Sequence, residues 1–263
     1  KNNDKAAFMT AAKLGVSVGV SESTVVRFAI ELGFSGYPKL QKSLQELIKN
    51  KLTTVQRLEL SSDYITEGHA LKGVLKADME NIRSTMEKID YNTFEDVVNN
   101  IFAAKRIYII GLRSSMALAE FLGFYLNIIL QNVKTVGYGI SDIFEQMINV
   151  GEGDLVIGIG FPRYASRTID ALAFAQDRGA TVVAVTDSFL SPLAARADYS
   201  LIAQSNMASF VDSLVAPLSV INALIIAVGM REKENISSTF NSLEEIWREY
   251  NVYSYNNRNV GDD

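Results

Sequence analysis

From residue 106 onward, apolar runs of strand length alternate with longer helical stretches, and this alternation constrains the fold more than any other feature. The runs LVIGIG and TVVAVTD are apolar almost without interruption. A strand with one solvated face alternates apolar and polar residues, so an unbroken run implies cover on both faces, as in a parallel sheet between helices. Strands are predicted over 106–111, 134–138, 154–160, 181–187 and 199–203, and helices over about 114–131, 141–149 and 166–178. That order gives a doubly wound α/β domain with right-handed crossovers. Up to about residue 100 the pattern is helical, with no convincing strand. The fold class is therefore an all-α domain followed by an α/β doubly wound parallel-sheet domain. The mixed-charge segment 61–81 reads as linker plus the start of a helix. A helical domain with its linker is expected over 1–75, the α/β domain over 76–235, and a C-terminal helix and tail over 236–263.

Charge divides the chain in the same place. The net charge of the 263 residues is −5, yet residues 1–60 hold nine Lys/Arg against five Asp/Glu. A basic block on an acidic body fits a nucleic-acid reader joined to an effector domain, and it fits a solvated lysine-rich surface equally. The absence of cysteine excludes disulfides and thiolate metal sites, and the single histidine, His69, leaves no histidine cluster for zinc or iron. No metal or cofactor is expected, and a reducing cytoplasm is the expected location. Residues 1–4 are polar with no apolar signal stretch after them, and the chain reads as starting inside an element, so a preceding helix is expected. The longest apolar stretch, 214–230, contains Pro217 and Asn222 and falls short of the roughly 20 residues of a membrane span, so it reads as a buried helix.

The most informative helical stretch is AAKLGVSVGVSESTVVRFAIEL, residues 11–32. A first helix should end near Val18, with Gly19 supplying a left-handed turn. Val20 is expected to plug the inter-helix core and Ser21 to cap the next helix. In that second helix Val25, Phe28, Ala29 and Leu32 follow the spacing of one buried face, leaving Ser23, Thr24 and Arg27 on the other side, and Gly33 should end it. Helix, glycine turn and a second helix with small hydroxyls and an arginine outside is the layout of a helix-turn-helix, whose second helix reads the major groove. Helical pairs of this kind also occur in ordinary bundles. GVSESTVVRFAIELGFSGYPKLQ, residues 19–41, further resembles the signature of the RpiR/MurR family of transcription regulators. The resemblance implies that Ser21, Ser23, Thr24 and Arg27 contact double-stranded operator DNA, with Tyr37, Lys39 and Lys42 toward its backbone.

In the α/β half, the first strand runs into Gly111-Leu112-Arg113-Ser114-Ser115. Glycine permits a tight turn, and Ser114 and Ser115 offer hydroxyls where the N–H groups of a helix N-terminus attract an anion; serine is also simply a good cap. The third strand ends in Gly160-Phe161-Pro162-Arg163-Tyr164-Ala165-Ser166, where Arg163 brings a planar cation suited to phosphate or to a surface carboxylate. Both loops lie at strand C-termini, where open α/β sheets bind ligands. RIYIIGLRSS, GDLVIGIGFPRYASRTID and GATVVAVTDSFLSPLAARADYSLIA resemble a SIS (sugar isomerase) domain. The resemblance implies a phosphosugar ligand at Gly111, Ser114, Ser115, Arg163, Tyr164 and Ser166. Pro162, Arg163 and Ala165 depart from the hydroxyl-rich phosphate loop of many SIS domains.

The whole chain is thus expected to be a DNA-binding regulator of sugar metabolism that senses a phosphosugar, without catalytic residues. The alternative is a phosphosugar isomerase, for which Asp142 and Glu145 would supply the carboxylate and His69 the histidine. Segments 115–130 and 211–230 are apolar nearly all round, so a homodimer or higher homo-oligomer is expected, held mainly by the α/β half.

Overall fold

The structure is a computed structural model and describes residues 6–48, 53–61, 70–207 and 210–254. The chain forms two compact units. One comprises residues 1–88, 161–165 and 203–216; the other comprises 89–160, 166–202 and 217–263.

The first unit is helical. Helix α1 (Ala11–Val18) starts at Thr10, whose hydroxyl accepts from the Lys13 N–H, and ends at Gly19 with φ +74°. Helix α2 (Glu22–Glu31) is capped by Ser21, whose Oγ accepts from the Thr24 N–H at 3.2 Å. Helix α3 (Tyr37–Ile48) follows, then α4 (Thr54–Ser61) and α5 (Ala70–Lys88). Ala11, Val25, Ala29, Tyr37 and Leu40 form the core of the first three helices, with Leu14, Val26, Phe34 and Leu44 against it.

Two expectations for this region are corrected. Val20 is exposed rather than plugging the helix pair, because backbone fills that space: a Cβ on Gly15 would lie 2.7 Å from the Val20 carbonyl oxygen. Phe28 and Leu32 are also exposed. The buried face of α2 is the narrower pair Val25 and Ala29 with Val26 beside it, all that two short neighbouring helices can cover.

Helices α4 and α5 are tied to the segment 203–216 by polar groups. Arg57, buried, donates through Nη1 to Asp212 at 2.9 Å. Asn81 and Asn206 exchange two bonds, and the Gln204 N–H donates to Thr85 Oγ1 at 2.8 Å. The segment 61–81, expected as linker plus the start of a helix, thus contains the first part of the 19-residue α5.

The second unit is the α/β domain. Its five strands, β1 (Ile107–Gly111), β2 (Val133–Val136), β3 (Leu155–Ile159), β4 (Thr181–Thr186) and β5 (Tyr199–Ile202), are all parallel in the order β2-β1-β3-β4-β5. Every residue of β1 and β3 is buried. Successive side chains point to opposite faces, so full burial means cover on both. The helices of this part are α6 (Tyr91–Ala103), α7 (Met116–Leu130), α8 (Ile143–Gln146), α9 (Ser166–Asp177), α10 (Val215–Arg231) and α11 (Lys233–Glu249), with α7 on β1 and β2, α9 on β3 and β4, α6 on β5, and α11 packed against α7. The expected helix at 141–149 is a single turn, and residues 211–214 stay outside α10. At the N-terminal ends of β1 and β3, Arg106 makes a two-pronged pair with buried Asp154, at 3.1 and 2.7 Å. That bond holds the Arg106 guanidinium above its ordinary pKa. Among the described residues no single helix is long and apolar enough to cross a membrane.

Candidate functional site

Two places gather the residues that the sequence singles out. The first is the start of α2. Ser21 Oγ lies 2.8 Å from both Ser23 Oγ and Thr24 Oγ1, so the cap becomes a small hydroxyl cluster. Ser21, Ser23 and Arg27 are exposed and Thr24 half-buried, while the opposite face of α2 holds the core. Lys39 is exposed on α3; the side chain of Lys42 lies outside the described residues.

Tyr37 does not belong to this surface. It is 3% exposed, and its hydroxyl donates to the Met9 carbonyl at 2.8 Å. The phenol ties α3 to the turn before α1, and Gln41 Nε2 donates to the same carbonyl. The DNA-facing assignment of Tyr37 is therefore corrected: it is a buried tie.

The second place is the C-terminal end of the sheet. Strands β2 and β3 leave β1 on opposite sides, so the order reverses there, which is where doubly wound sheets form a crevice. From β1 the chain turns through Leu112 into a 3-10 turn, Arg113–Ser115, and then α7. Neither start has a side-chain cap bond, which leaves the serine hydroxyls to other partners. Gly111 is required by close approach, since a Cβ there would lie 2.6 Å from the Ser115 carbonyl oxygen. Arg113 adopts φ +58°, an unfavourable left-handed conformation for a residue with a side chain. The loop after β3 repeats this device, with Arg163 at φ +64°. Strained backbone of this kind collects at functional sites.

Sequence reasoning passed over two groups here. Arg113 carries no expected role in the sequence, although it puts a cation beside the serine pair. Thr186, the last residue of β4, is fully buried and its Oγ1 has no hydrogen-bond partner. Its position at the end of the apolar run TVVAVT was the only available signal.

The second loop divides between the units. Gly160 and exposed Ser166 stay with the α/β unit, whereas Arg163 and Tyr164 group with the helical one. There Arg163 Nη1 donates to Thr54 Oγ1 on α4 at 2.6 Å.

The carboxylates of the isomerase alternative both make capping bonds. Asp142 caps α8 in a capping box: its Oδ1 accepts from Phe144 N–H, and Glu145 accepts from the Asp142 N–H. Asp142 also pairs with Arg167 at 2.6 Å. His69 lies outside the described residues.

A helix-turn-helix domain of the rpiR family matches residues 1–51, and a SIS domain matches residues 100–227. The solved sugar isomerase domain of an RpiR transcription factor from Sphaerobacter thermophilus is 30% identical, covering 67% of this chain and 99% of that one with a TM-score of 0.65. This chain belongs to the RpiR family of transcription regulators. An HTH-type transcriptional regulator of Haemophilus influenzae is 29% identical over 228 residues, 83% of this chain and 77% of the relative. The NanR protein of Vibrio vulnificus, solved with ManNAc-6P, has a similar fold over 95% of this chain and 89% of its own, at 20% identity and a TM-score of 0.60.

Proposed function

We propose that this RpiR-family protein reads operator DNA with the start of α2 and modulates that reading when a phosphosugar occupies the C-terminal end of its sheet. The single observation that carries the ligand half is the opening of α7. A helix N-terminus with two serine hydroxyls free of cap bonds, beside a strained arginine, stands where the strand order reverses. Such an N-terminus suits an anion through its N–H groups and the helix dipole. The ManNAc-6P bound by NanR is a ligand of the same chemistry in the same fold. Gly111, Ser114, Ser115 and Ser166 are the groups we assign to the ligand, with Arg113 added. Arg163 and Tyr164 we assign to transmission, because their loop runs directly from Gly160 to Ser166 while Arg163 grips Thr54 of α4.

At the DNA face, Ser21, Ser23 and Thr24 permit close approach, Arg27 reaches a base edge or phosphate, and Lys39 adds a backbone contact. A symmetric homodimer would match a palindromic operator. We read the protein as a cytoplasmic regulator without isomerase activity, since Asp142 and Glu145 are committed to the start of α8.

A thermal-shift screen of hexose, pentose and N-acetylhexosamine phosphates against their unphosphorylated sugars tests the ligand half, because a bound ligand raises the melting temperature. At least one phosphorylated sugar should raise it while its parent sugar does not. Ser114→Ala should then weaken that binding about tenfold, the worth of one hydrogen bond to a charged group. Equal shifts with and without phosphate, or full-strength binding to the Ser114→Ala and Ser115→Ala double variant, would place the sensor elsewhere. Isomerase turnover that vanishes in Asp142→Asn would restore the enzyme reading.

A further inference from the structure

Helix α5 turns its polar side inward. Asn81 and Thr85 are buried and bond the backbone of Asn206 and Gln204, and Asp78 accepts from Ser213 Oγ at 2.6 Å. Its apolar side chains stand on another side. Leu71, Leu75, Met79, Ile82 and Met86 follow one another at spacings of four, four, three and four, which draws one stripe along the helix. All are exposed, Leu71 at 76%, Met79 at 71% and Met86 at 63%. A helix of 19 residues is about 28 Å long, so the stripe exceeds the scattered apolar residues of an ordinary surface. A third side carries the exposed charges Lys72, Lys76, Glu80, Arg83 and Glu87.

We propose that this stripe is covered by α5 of a second copy of the chain, running antiparallel about a two-fold axis beside Met79. The inference rests on the homodimer proposed above and names a seam of it. The stripe reads almost the same from either end: centred beside Met79, it puts Leu71 opposite the second copy's Met86 and Leu75 opposite its Ile82. A two-fold interface requires that self-complementarity. Direction follows from the flanks. In an antiparallel pair like flanks meet, so the charged sides face each other and the sides bonded to residues 204–213 turn away together. A parallel pair would drive each charged flank onto the other's covered flank. The antiparallel order also sets Lys72 and Lys76 against the half-helix bearing Glu80 and the Arg83–Glu87 pair, so that Glu80 offers them the opposite charge, and flanking charges of opposite sign select partner and orientation.

The chain has no cysteine, so single cysteines can be placed without background. Met79→Cys should form a covalent dimer on mild oxidation, since disulfides need α-carbons within about 7 Å. The reaction should run at least tenfold faster than for Ile140→Cys, a fully exposed control, and should reverse on reduction. Leu71→Cys alone should not self-couple, whereas co-expressed Leu71→Cys and Met86→Cys chains should couple to each other. Circular dichroism confirms that the surface variants stay folded. Met79→Cys coupling no faster than the control overturns the seam, and self-coupling of Leu71→Cys overturns its direction. Sedimentation of the wild-type chain separates the two proposals. A monomer sinks the homodimer and the seam together, while a dimer lacking the Met79 bond sinks the seam alone.

Discussion

Gly111 sits where β1 stops and the chain folds back toward α7, and nothing larger fits. The neighbour a Cβ would meet is backbone, with the Ser115 carbonyl oxygen at 2.6 Å and its carbon at 3.1 Å. Backbone cannot swing aside, so Gly111→Ala should destabilise the α/β unit by about 1–3 kcal/mol, as overpacking does, readable by denaturant unfolding. Arg27→Ala makes the opposite prediction. The residue is exposed and outside the core, so unfolding should be unchanged while operator affinity falls, by about 1–3 kcal/mol if the arginine grips a base edge bidentately. Unchanged affinity in a titration at fixed salt would remove Arg27 from the reading surface. Tyr37→Phe should cost stability, about 1 kcal/mol for the lost hydroxyl bond, and leave the salt dependence of DNA binding alone. A change in that slope would return Tyr37 to the DNA face. Tyr37 shows where residue-level reading runs out. The pattern fixed it in a DNA-binding motif, but a phenol with an apolar body suits a wet surface and a buried carbonyl partner alike. Only the position of Met9 decides.

Elements were more legible than residues, for a physical reason. The inner strands β1, β3 and β4 are short apolar runs, the edge strands β2 and β5 carry Lys134, Thr135 and Ser200, and all five lie within two residues of their expected places. Only the start of helix α5 is expected, within 61–81, because its periodicity is split among three sides, each of a different character. The length of α8 was missed because its apolar residues continue past the point where the chain turns away. Caps carried more information than propensity. Asp90 opens α6 by accepting from the Asn92 and Thr93 N–H groups and the Thr93 hydroxyl. The Thr93 hydroxyl bond, then the two backbone bonds, hold its carboxyl below the usual range. A carboxylate depressed in the folded state stabilises fully above the unfolded value, near 3.9, and loses that contribution as pH falls through the folded value. Asp90→Asn should therefore narrow the stability difference between neutral pH and pH 3. Acid unfolding curves for both proteins check this, and parallel curves would detach the cap from the acid response.

On the scale of the whole molecule, the proposed function is a coupling between two binding events. If a phosphosugar alters operator affinity by some factor, operator DNA must alter phosphosugar affinity by the same factor. Calorimetry with and without operator should return matching factors. Thr54→Val removes the hydroxyl that Arg163 reaches. It should leave both affinities measured separately intact while shrinking the factor toward one. A full-sized factor in that variant would exclude the Arg163–Thr54 bond from the coupling.

The helical unit is also discontinuous. Its first three helices close their own core within residues 11–44, but α4 and α5 bond, among the described residues, to 161–165 and 203–216. During synthesis the DNA-reading helices can therefore settle almost as soon as they leave the ribosome, while α4 and α5 wait for some hundred and fifty residues more. A chain broken off after β5 would still present a folded reader, attached to helices that have lost the bonds of Arg57, Asn81 and Thr85 to residues 204–212. For a regulator this is a hazardous fragment, able to occupy an operator yet deaf to the metabolite.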